Sequence, residues 1–214
     1  MNKEMWIKVL KVILKILDYI FEEVIEIGAP EKVENSTENV ENFYFPMEYL
    51  RVTQGENTGS HIGGKAMDFG GADTGKDALY CPAKMIVKRI RENANGEVYL
   101  ETVNKVKFAD GTSDYARILC IHDDTLPNYK VGDIINQGEY FYLEGGMSGG
   151  VRQKLPNHVH IEAGKGKWKE CKHYLVPGTT DKYSIEEPES LNNLFIVKKD
   201  TIILDDGGYK WVIN

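Results

Sequence analysis

Cysteine is scarce in this chain of 214 residues, which contains only Cys81, Cys120 and Cys171. An odd number of cysteines without a Cys-x-x-Cys pair excludes a disulfide framework and a structural metal site held by cysteine. We therefore expect the three thiols to be small, buried, apolar side chains in a protein made in a reducing cytosol.

Basic residues are fewer than acidic residues. The sequence has 26 Lys and Arg against 33 Asp and Glu, and its formal net charge is -7. Proteins that bind nucleic acid generally need a basic surface that neutralises phosphate groups. We therefore expect no nucleic-acid partner.

Long uninterrupted apolar runs are missing as well. Apolar residues extend from Trp6 to Phe21, but Lys8, Lys11, Lys15 and Asp18 interrupt them. A membrane-spanning helix needs about 20 largely uncharged residues. A cleaved signal peptide needs an uninterrupted apolar region followed by a small-residue cleavage site. The sequence predicts neither, so we expect synthesis in the cytoplasm without a signal peptide.

The first 42 residues predict a helix and a linker. Charged residues recur every three or four positions within residues 3–27 and leave a wide apolar surface, which is typical of an amphipathic helix. We expect residues 1–27 to self-associate, to contact a partner or membrane surface, or to pack on their own domain. Residues 28–42 are acidic and polar, as in a solvated linker.

The remainder predicts a mainly β protein. The chain has 21 glycines and 12 tyrosines, and short apolar stretches alternate with turn signals such as Asn95-Gly96 and Asp110-Gly111. We expect a compact antiparallel β-sandwich or barrel-like domain at 43–176, followed by a C-terminal extension at 177–214 with a β-hairpin. The candidate strands are Tyr80–Ile90, Glu97–Asn104, Tyr115–His122, Tyr140–Leu143, Asn157–Glu162, Leu194–Val197, Thr201–Leu204 and Tyr209–Ile213.

Two of the five histidines lie two residues apart, in His158-Val159-His160. Residues i and i+2 of a strand point to the same face, so both imidazoles face one way. That arrangement suits two metal ligands, or one ligand beside one base. A His-x-His pair alone is weak evidence, because surface strands also produce it.

A second segment places His61 and Asp68 seven residues apart among glycines. Glycine lets the backbone bend sharply enough to bring two side chains onto one ion. Two imidazoles and one carboxylate would leave a coordination position open for water, as in catalytic zinc sites. Asp73 and Asp77 are alternative carboxylates, and a glycine-rich turn facing solvent is the simpler interpretation.

His122 ends the candidate strand Tyr115–His122. It could be an exposed histidine at a strand end. Beside a metal site it would be a candidate proton carrier, since imidazole titrates in the useful pH range.

In order along the chain, these segments resemble the lysostaphin/LytM-type peptidoglycan zinc metalloendopeptidases. The segment from His61 to Asp68, "YKVGDIINQGE", and "EGGMSGG" followed by "HVHIE" carry the resemblance. It implies the duplicated hybrid motif fold, a Zn2+ cofactor, and hydrolysis of peptide bonds in the stem or cross-bridge of peptidoglycan. It also implies that His61, Asp68 and His160 are the metal ligands, and that His122 and His158 are catalytic.

The chain departs from that family in two places. The family usually spaces its first histidine and aspartate four residues apart rather than seven, which is why Asp73 and Asp77 are kept as alternatives to Asp68. An insertion at Val151–Asn157 precedes the paired histidines. This segment could reshape the substrate groove, although no catalytic side chain is lost.

Two other functions remain open. A cysteine-type wall peptidase or amidase would use Cys81 as the nucleophile and His158 as the base, although Cys81 precedes a proline rather than beginning a helix. A noncatalytic wall-binding or phage-structural module would use the N-terminal helix for assembly. A wall hydrolase without a signal peptide would reach its substrate as a phage or prophage lysin, or in a phage tail.

Overall fold

The computed structural model describes residues 39–91, 95–125, 128–148, 150–168, 174–175, 182–183, 185 and 187–214. The helix predicted for residues 1–27 and most of the predicted linker lie outside the described residues. Within the described part of the chain, no helix is long and apolar enough to cross a membrane.

Short strands dominate these residues, which confirms the prediction of a mainly β protein. One turn of 3-10 helix, Gly59–His61, and one short α-helix, Leu191–Leu194, accompany them. The strands are β1 (Tyr49–Gln54), β2 (Met67–Phe69), β3 (Ala78–Tyr80), β4 (Met85–Arg91), β5 (Glu97–Thr102), β6 (Val106–Lys107), β7 (Ser113–Asp114), β8 (Ala116–Ile121), β9 (Ile134–Ile135), β10 (Tyr140–Leu143), β11 (Met147–Ser148), β12 (Val151–Arg152), β13 (Val159–Lys165), β14 (Tyr174–Leu175), β15 (Lys182–Tyr183), β16 (Pro188–Glu189), β17 (Ile196–Val197), β18 (Ile202–Asp205) and β19 (Val212–Ile213).

One large sheet organises the fold. Its strand order is β18-β1-β2-β13-β8-β5-β4-β9, and β16 pairs additionally with β13. All of these pairs are antiparallel except β1 with β18, so the sheet is mixed. Among the described residues the path ends at β18 and β9 instead of closing, so the sheet forms no barrel.

The centre of the sheet is covered on both faces. Every residue of β5 and β8 is buried. One face contributes Leu100, Ile118 and Cys120 to the main hydrophobic core. The other face packs Tyr99 and Leu119 in a smaller cluster. Burial on both faces explains why neither strand shows a regular alternation of apolar and polar residues, and the charged Glu97, Glu101 and Arg117 are buried with the apolar ones.

The predicted strand Tyr80–Ile90 is two strands, because the chain crosses from one sheet to another at Cys81. The amide N–H of Cys81 donates to the carbonyl of Glu139 beside the β3–β10 pair, and β4 then begins in the main sheet. Pro82 lies between the two strands, where the hydrogen bonding of the sheets does not need the backbone N–H that proline lacks. Strands β1 and β2 were not predicted, and β2 is too short for any periodicity to reveal it.

The predicted C-terminal hairpin is wrong, although its strands exist. Strand β18 pairs in parallel with β1, and β19 pairs in parallel with β17, so the two do not pair with each other. The aromatic residues between them explain the separation. Trp211 packs on the hydrophobic core, and the Tyr209 hydroxyl accepts a hydrogen bond from the Glu56 N–H. Burying these rings draws β19 towards the core.

The chain on both sides of the expected domain is bound to it. Glu41, expected in the linker, accepts hydrogen bonds from the amides of Lys84 and Asn104. Phe195, expected in the extension, is fully buried. Its ring contacts those of Phe43, Phe45 and Phe69 at centroid distances of 5.5, 5.7 and 6.3 Å. The C-terminal segment is therefore part of the core beneath β2.

We predict that Phe195→Ala lowers the free energy of unfolding by about 3–5 kcal/mol, because it leaves a cavity among three aromatic rings. Equilibrium denaturation followed by tryptophan fluorescence would measure the loss. Ile203→Ala is the control, since this side chain is 45% exposed. Equal losses in the two variants would contradict the assignment of Phe195 to the core.

Candidate metal centre

Three side chains from separate elements converge at one end of the main sheet. His61 ends the 3-10 helix, Asp68 is the middle residue of β2, and His160 is the second residue of β13. Antiparallel pairing of β2 with β13 sets Asp68 directly opposite His160. Paired residues of neighbouring strands point to the same face of a sheet, so this register brings the carboxylate to the imidazole.

The facing atoms form a tight triangle. His61 Nε2 lies 3.1 Å from His160 Nδ1 and 3.3 Å from Asp68 Oδ1, and His160 Nδ1 lies 2.9 Å from Asp68 Oδ1. Tetrahedral donors at zinc bond lengths of about 2.0–2.1 Å are separated by about 3.4 Å. The triangle therefore has nearly the size that three ligands of one zinc ion require.

In His61 and His160, the ring nitrogen that points away from the triangle forms a hydrogen bond. His61 Nδ1 donates to the carbonyl oxygen of Gly55 at 3.3 Å, and His160 Nε2 donates to Glu162 Oε1 at 3.2 Å. When both rings are neutral, as metal ligation requires, each turns a lone pair towards the carboxylate oxygen of Asp68. Three lone pairs at this separation repel one another unless a cation lies between them. The donor set therefore fits a bound divalent metal.

The protonation states favour positive charge at this point. Burial lowers the pKa of His160, but hydrogen bonds and charge from Asp68 and Glu162 outweigh that effect and raise its pKa to about 10. Burial likewise raises the pKa of Asp68, but the two imidazoles outweigh it and hold the carboxyl well below its usual range. The centre therefore attracts a cation, either a proton or a metal ion.

The other two predicted histidines lie beside the triangle. The ring centroids of His122 and His158 are 4.5 Å apart, and those of His122 and His160 are 6.0 Å apart. His122 Nδ1 donates to the carbonyl of Met147 at 2.8 Å, and His158 Nδ1 donates to that of Pro156 at 2.9 Å. Nε2 of each ring has no hydrogen-bond partner in the described part of the chain, so both nitrogens are available to a ligand.

His122 is held in an unusual backbone conformation. Its φ is 100°, a region that non-glycine residues rarely adopt and that costs about 1–3 kcal/mol. The amide N–H of Met147 donates to the His122 carbonyl at 3.0 Å, which holds the strand end against the glycine loop. A side chain at Gly145 would lie 2.1 Å from that carbonyl oxygen, so the close approach requires glycine.

Burial also sets the charge of His122. Burial away from solvent lowers the pKa of His122 to about 4, and the neighbouring His158 and His160 contribute to the decrease. The hydrogen bond to the Met147 carbonyl acts in the opposite direction. The ring is therefore neutral near pH 7. A neutral imidazole with an available nitrogen is in the protonation state from which it can accept a proton.

The alternative site residues lie in other surroundings. Asp73 Oδ1 accepts from the Gly75 N–H, and Asp77 Oδ2 accepts from the Ala72 N–H at 2.8 Å, so both carboxylates shape the loop after β2. The Cys81 thiol donates to the Ala83 carbonyl, and burial raises its pKa to about 12. A thiol with such a pKa is a poor nucleophile.

An open cleft of about 670 Å³ contains the site. The five predicted histidine and aspartate side chains line it, and Leu155, Pro156 and Asn157 of the insertion form part of its wall. The cleft is also lined by Arg51 and Thr53 of β1, which the sequence reading missed. Their alternation with the buried Leu50 and Val52 is the signal that could have found them.

The sequence is similar to that of a curated phage protein. The chain is 32% identical over 162 residues to "Morphogenesis protein 1" of Bacillus phage B103. The match covers 70% of this chain but 42% of the relative, so the chain spans well under half of that protein's length. No protein-family model matches the sequence.

Solved structures similar to the chain include peptidases of the class that the motifs resemble. A zinc-containing peptidase from Vibrio cholerae aligns with a TM-score of 0.41 at 20% identity, over 59% of this chain and 37% of the peptidase. The catalytic domain of lysostaphin from Staphylococcus simulans aligns with a TM-score of 0.36 at 16% identity, over 56% and 80%.

We predict that Glu162→Gln weakens zinc binding about 10- to 100-fold, because the carboxylate that orients His160 becomes a neutral amide. Glutamine keeps an oxygen that can accept the Ile185 N–H, which Glu162 Oε2 now accepts. Competition titration with a chromogenic chelator would measure the affinity. The control is Glu139→Gln, at an exposed carboxylate bonded to Asn136. Unchanged affinity in Glu162→Gln would contradict this role.

Proposed function

We propose that this protein is a zinc-dependent endopeptidase that hydrolyses peptide bonds in the stem or cross-bridge of bacterial peptidoglycan. One observation carries the proposal. His61, Asp68 and His160 converge on a common point beside two further imidazoles, in an open cleft. Three protein ligands leave a position for water or substrate, as catalytic zinc sites do.

Zinc is the metal that this donor set suits best. Two imidazole nitrogens and one carboxylate oxygen match the ligands of hydrolytic zinc enzymes, whereas calcium and magnesium sites are built from oxygen atoms. When bound, zinc supplies Lewis acidity, which lowers the pKa of a water molecule and polarises the scissile carbonyl.

The chain's own residues supply the proton transfers. His122 accepts the proton of the attacking water at Nε2, since its Nδ1 is occupied by the Met147 carbonyl. His158 lies beside it, and once protonated its Nε2–H donates to the oxyanion that develops on the substrate carbonyl. Glu162 and the Gly55 carbonyl hold the rings of His160 and His61 in place.

Peptidoglycan is proposed as the substrate from the motifs. The order of the histidine and glycine segments resembles that of wall-cutting peptidases along most of the described domain. The phage relative adds a setting, since a phage or prophage lysin or a tail-associated wall hydrolase meets peptidoglycan during infection or release. Because the chain spans 42% of that relative, the activity and partners of the whole relative are not transferred to it.

A second function is favoured by the relative's name alone. A morphogenesis protein could contribute to the phage particle as a wall-binding or structural module without catalysis. Mass spectrometry of digested peptidoglycan, together with metal analysis of the purified protein, separates the two. Stoichiometric zinc without cleavage of any wall preparation would favour the structural module.

We predict that His160→Ala and His122→Ala differ in one measurable respect. His160→Ala should lose both zinc and wall lysis, because it removes a ligand. His122→Ala should keep zinc while its rate falls about 10²- to 10⁴-fold, because it removes the proton acceptor. Atomic absorption and a turbidity assay on purified walls would measure the two quantities. Normal lysis by both variants would refute the catalytic proposal.

We also predict that a metal chelator abolishes activity, whereas a thiol alkylator leaves it unchanged. The Cys81 and Cys120 thiols are both buried, and burial raises the pKa of each. Cys81→Ala provides a genetic control that needs no reagent. Loss of activity in Cys81→Ala with a normal thermal melting curve would favour the cysteine peptidase instead.

A further inference from the structure

Arg51 lines the same cleft as the proposed metal ligands. It lies in β1, where Leu50 and Val52 point into the core and Arg51 and Thr53 point to the cleft. Among the described residues that line the cleft, Arg51 is the single Lys or Arg side chain. Its place on a strand of the main sheet makes it a fixed feature of the cleft floor.

The guanidinium is held against the backbone of the strand that carries Asp68. Its Nη2 donates to the carbonyl of Asp73 at 3.3 Å. A Cβ at Gly70 would lie 2.9 Å from Nη2, so the missing side chain makes room for the guanidinium. Gly70 follows Asp68 by two positions, which is about 7 Å along an extended chain. Arg51 therefore lies roughly two peptide residues away from the proposed reaction centre.

Arg51 has no close ion-pair partner within the described part of the protein, although its charge acts from a longer distance against the rise that burial causes in the pKa of the Glu144 carboxyl. No described carboxylate forms an ion pair with it, and its Nε is buried without a hydrogen-bond partner. The two acidic side chains that line the cleft, Asp68 and Glu162, are both hydrogen-bonded to His160. A partly buried, unpaired cation is unfavourable, and a chain with net charge -7 has many carboxylates that could have paired with it.

We propose that Arg51 binds a free carboxylate of the peptide substrate, about two residues from the scissile bond. This inference rests on the proposed peptidase function and adds a substrate requirement to it. The planar guanidinium of arginine can hold a carboxylate through two parallel hydrogen bonds, and carboxylates are the anionic groups that peptides carry. Arg51 thereby selects acidic peptides and fixes their position relative to the metal.

The test uses a panel of stem peptides in which each carboxylate is replaced, one at a time, by a carboxamide. The measured quantity is the ratio of kcat/KM for the free acid to kcat/KM for the amide. One replacement should give the wild-type protein a ratio of about 10 to 100, as expected for a hydrogen bond between charged groups. In Arg51→Gln that ratio should fall to about 1, and in Arg51→Lys it should be intermediate, since lysine keeps the charge but not the fork.

Arg89→Gln is the matched control, since this guanidinium lies over the Tyr99 ring outside the cleft. It should keep the wild-type ratio. Thermal melts establish that each variant is folded, and Arg51→Lys carries the test if Arg51→Gln is not.

A wild-type ratio near 1 for every carboxylate, or an undiminished ratio in the Arg51 variants, would overturn the inference while leaving the peptidase proposal intact. Failure to cleave any peptide would instead refute the peptidase proposal. In that case, calorimetry would measure the Kd of the same acid and amide peptides, which tests Arg51 without requiring catalysis. The preference for the acid should be present in the wild-type protein and lost in Arg51→Gln.

Discussion

The antiparallel register between β2 and β13 is the constraint on which the site depends. It sets Asp68 opposite His160, and a slip of one residue would turn the carboxylate to the opposite face of the sheet. Met67 and Phe69 flank Asp68 and are fully buried in the main core. A slipped register would therefore expose two large apolar side chains, so the hydrophobic core keeps the carboxylate in place.

The same packing gives the histidines different protonation behaviour. Contact with Asp68 and Glu162 raises the pKa of His160, whereas burial without a carboxylate partner lowers that of His122. One imidazole therefore belongs to a centre that attracts a cation, and the other is neutral and can accept a proton. Environments that push the pKa values of like groups apart are a common basis for dividing chemical roles in an active site.

Glycine has a specific part in bringing these groups together. Gly145 allows the backbone at His122 to approach the loop that leads to β13, and Gly70 makes room for the guanidinium of Arg51. Both glycines lie next to a functional side chain rather than in a solvent-exposed turn. At these two glycines the backbone is closely packed against a functional residue.

Local patterns in the sequence determined the mainly β class and the set of candidate side chains. His158 and His160 could be assigned to one face because alternation in a strand is a local property. Strand Tyr140–Leu143 was predicted with its observed bounds, whereas β13 begins and ends later than expected. The motif resemblance supplied the roles proposed for His61, Asp68, His122, His158 and His160.

The resemblance favoured Asp68 and left Asp73 and Asp77 as alternatives. Only the pairing of β2 with β13 in the tertiary structure shows that Asp68 is the carboxylate that lies against the two imidazoles. The tertiary structure also separated β18 from β19 and placed Arg51 in the cleft. Each of these outcomes depends on contacts between residues distant in the chain. The conformational preferences of individual residues do not specify such contacts. The strand pairing is determined instead by the burial of aromatic and aliphatic side chains in one shared core.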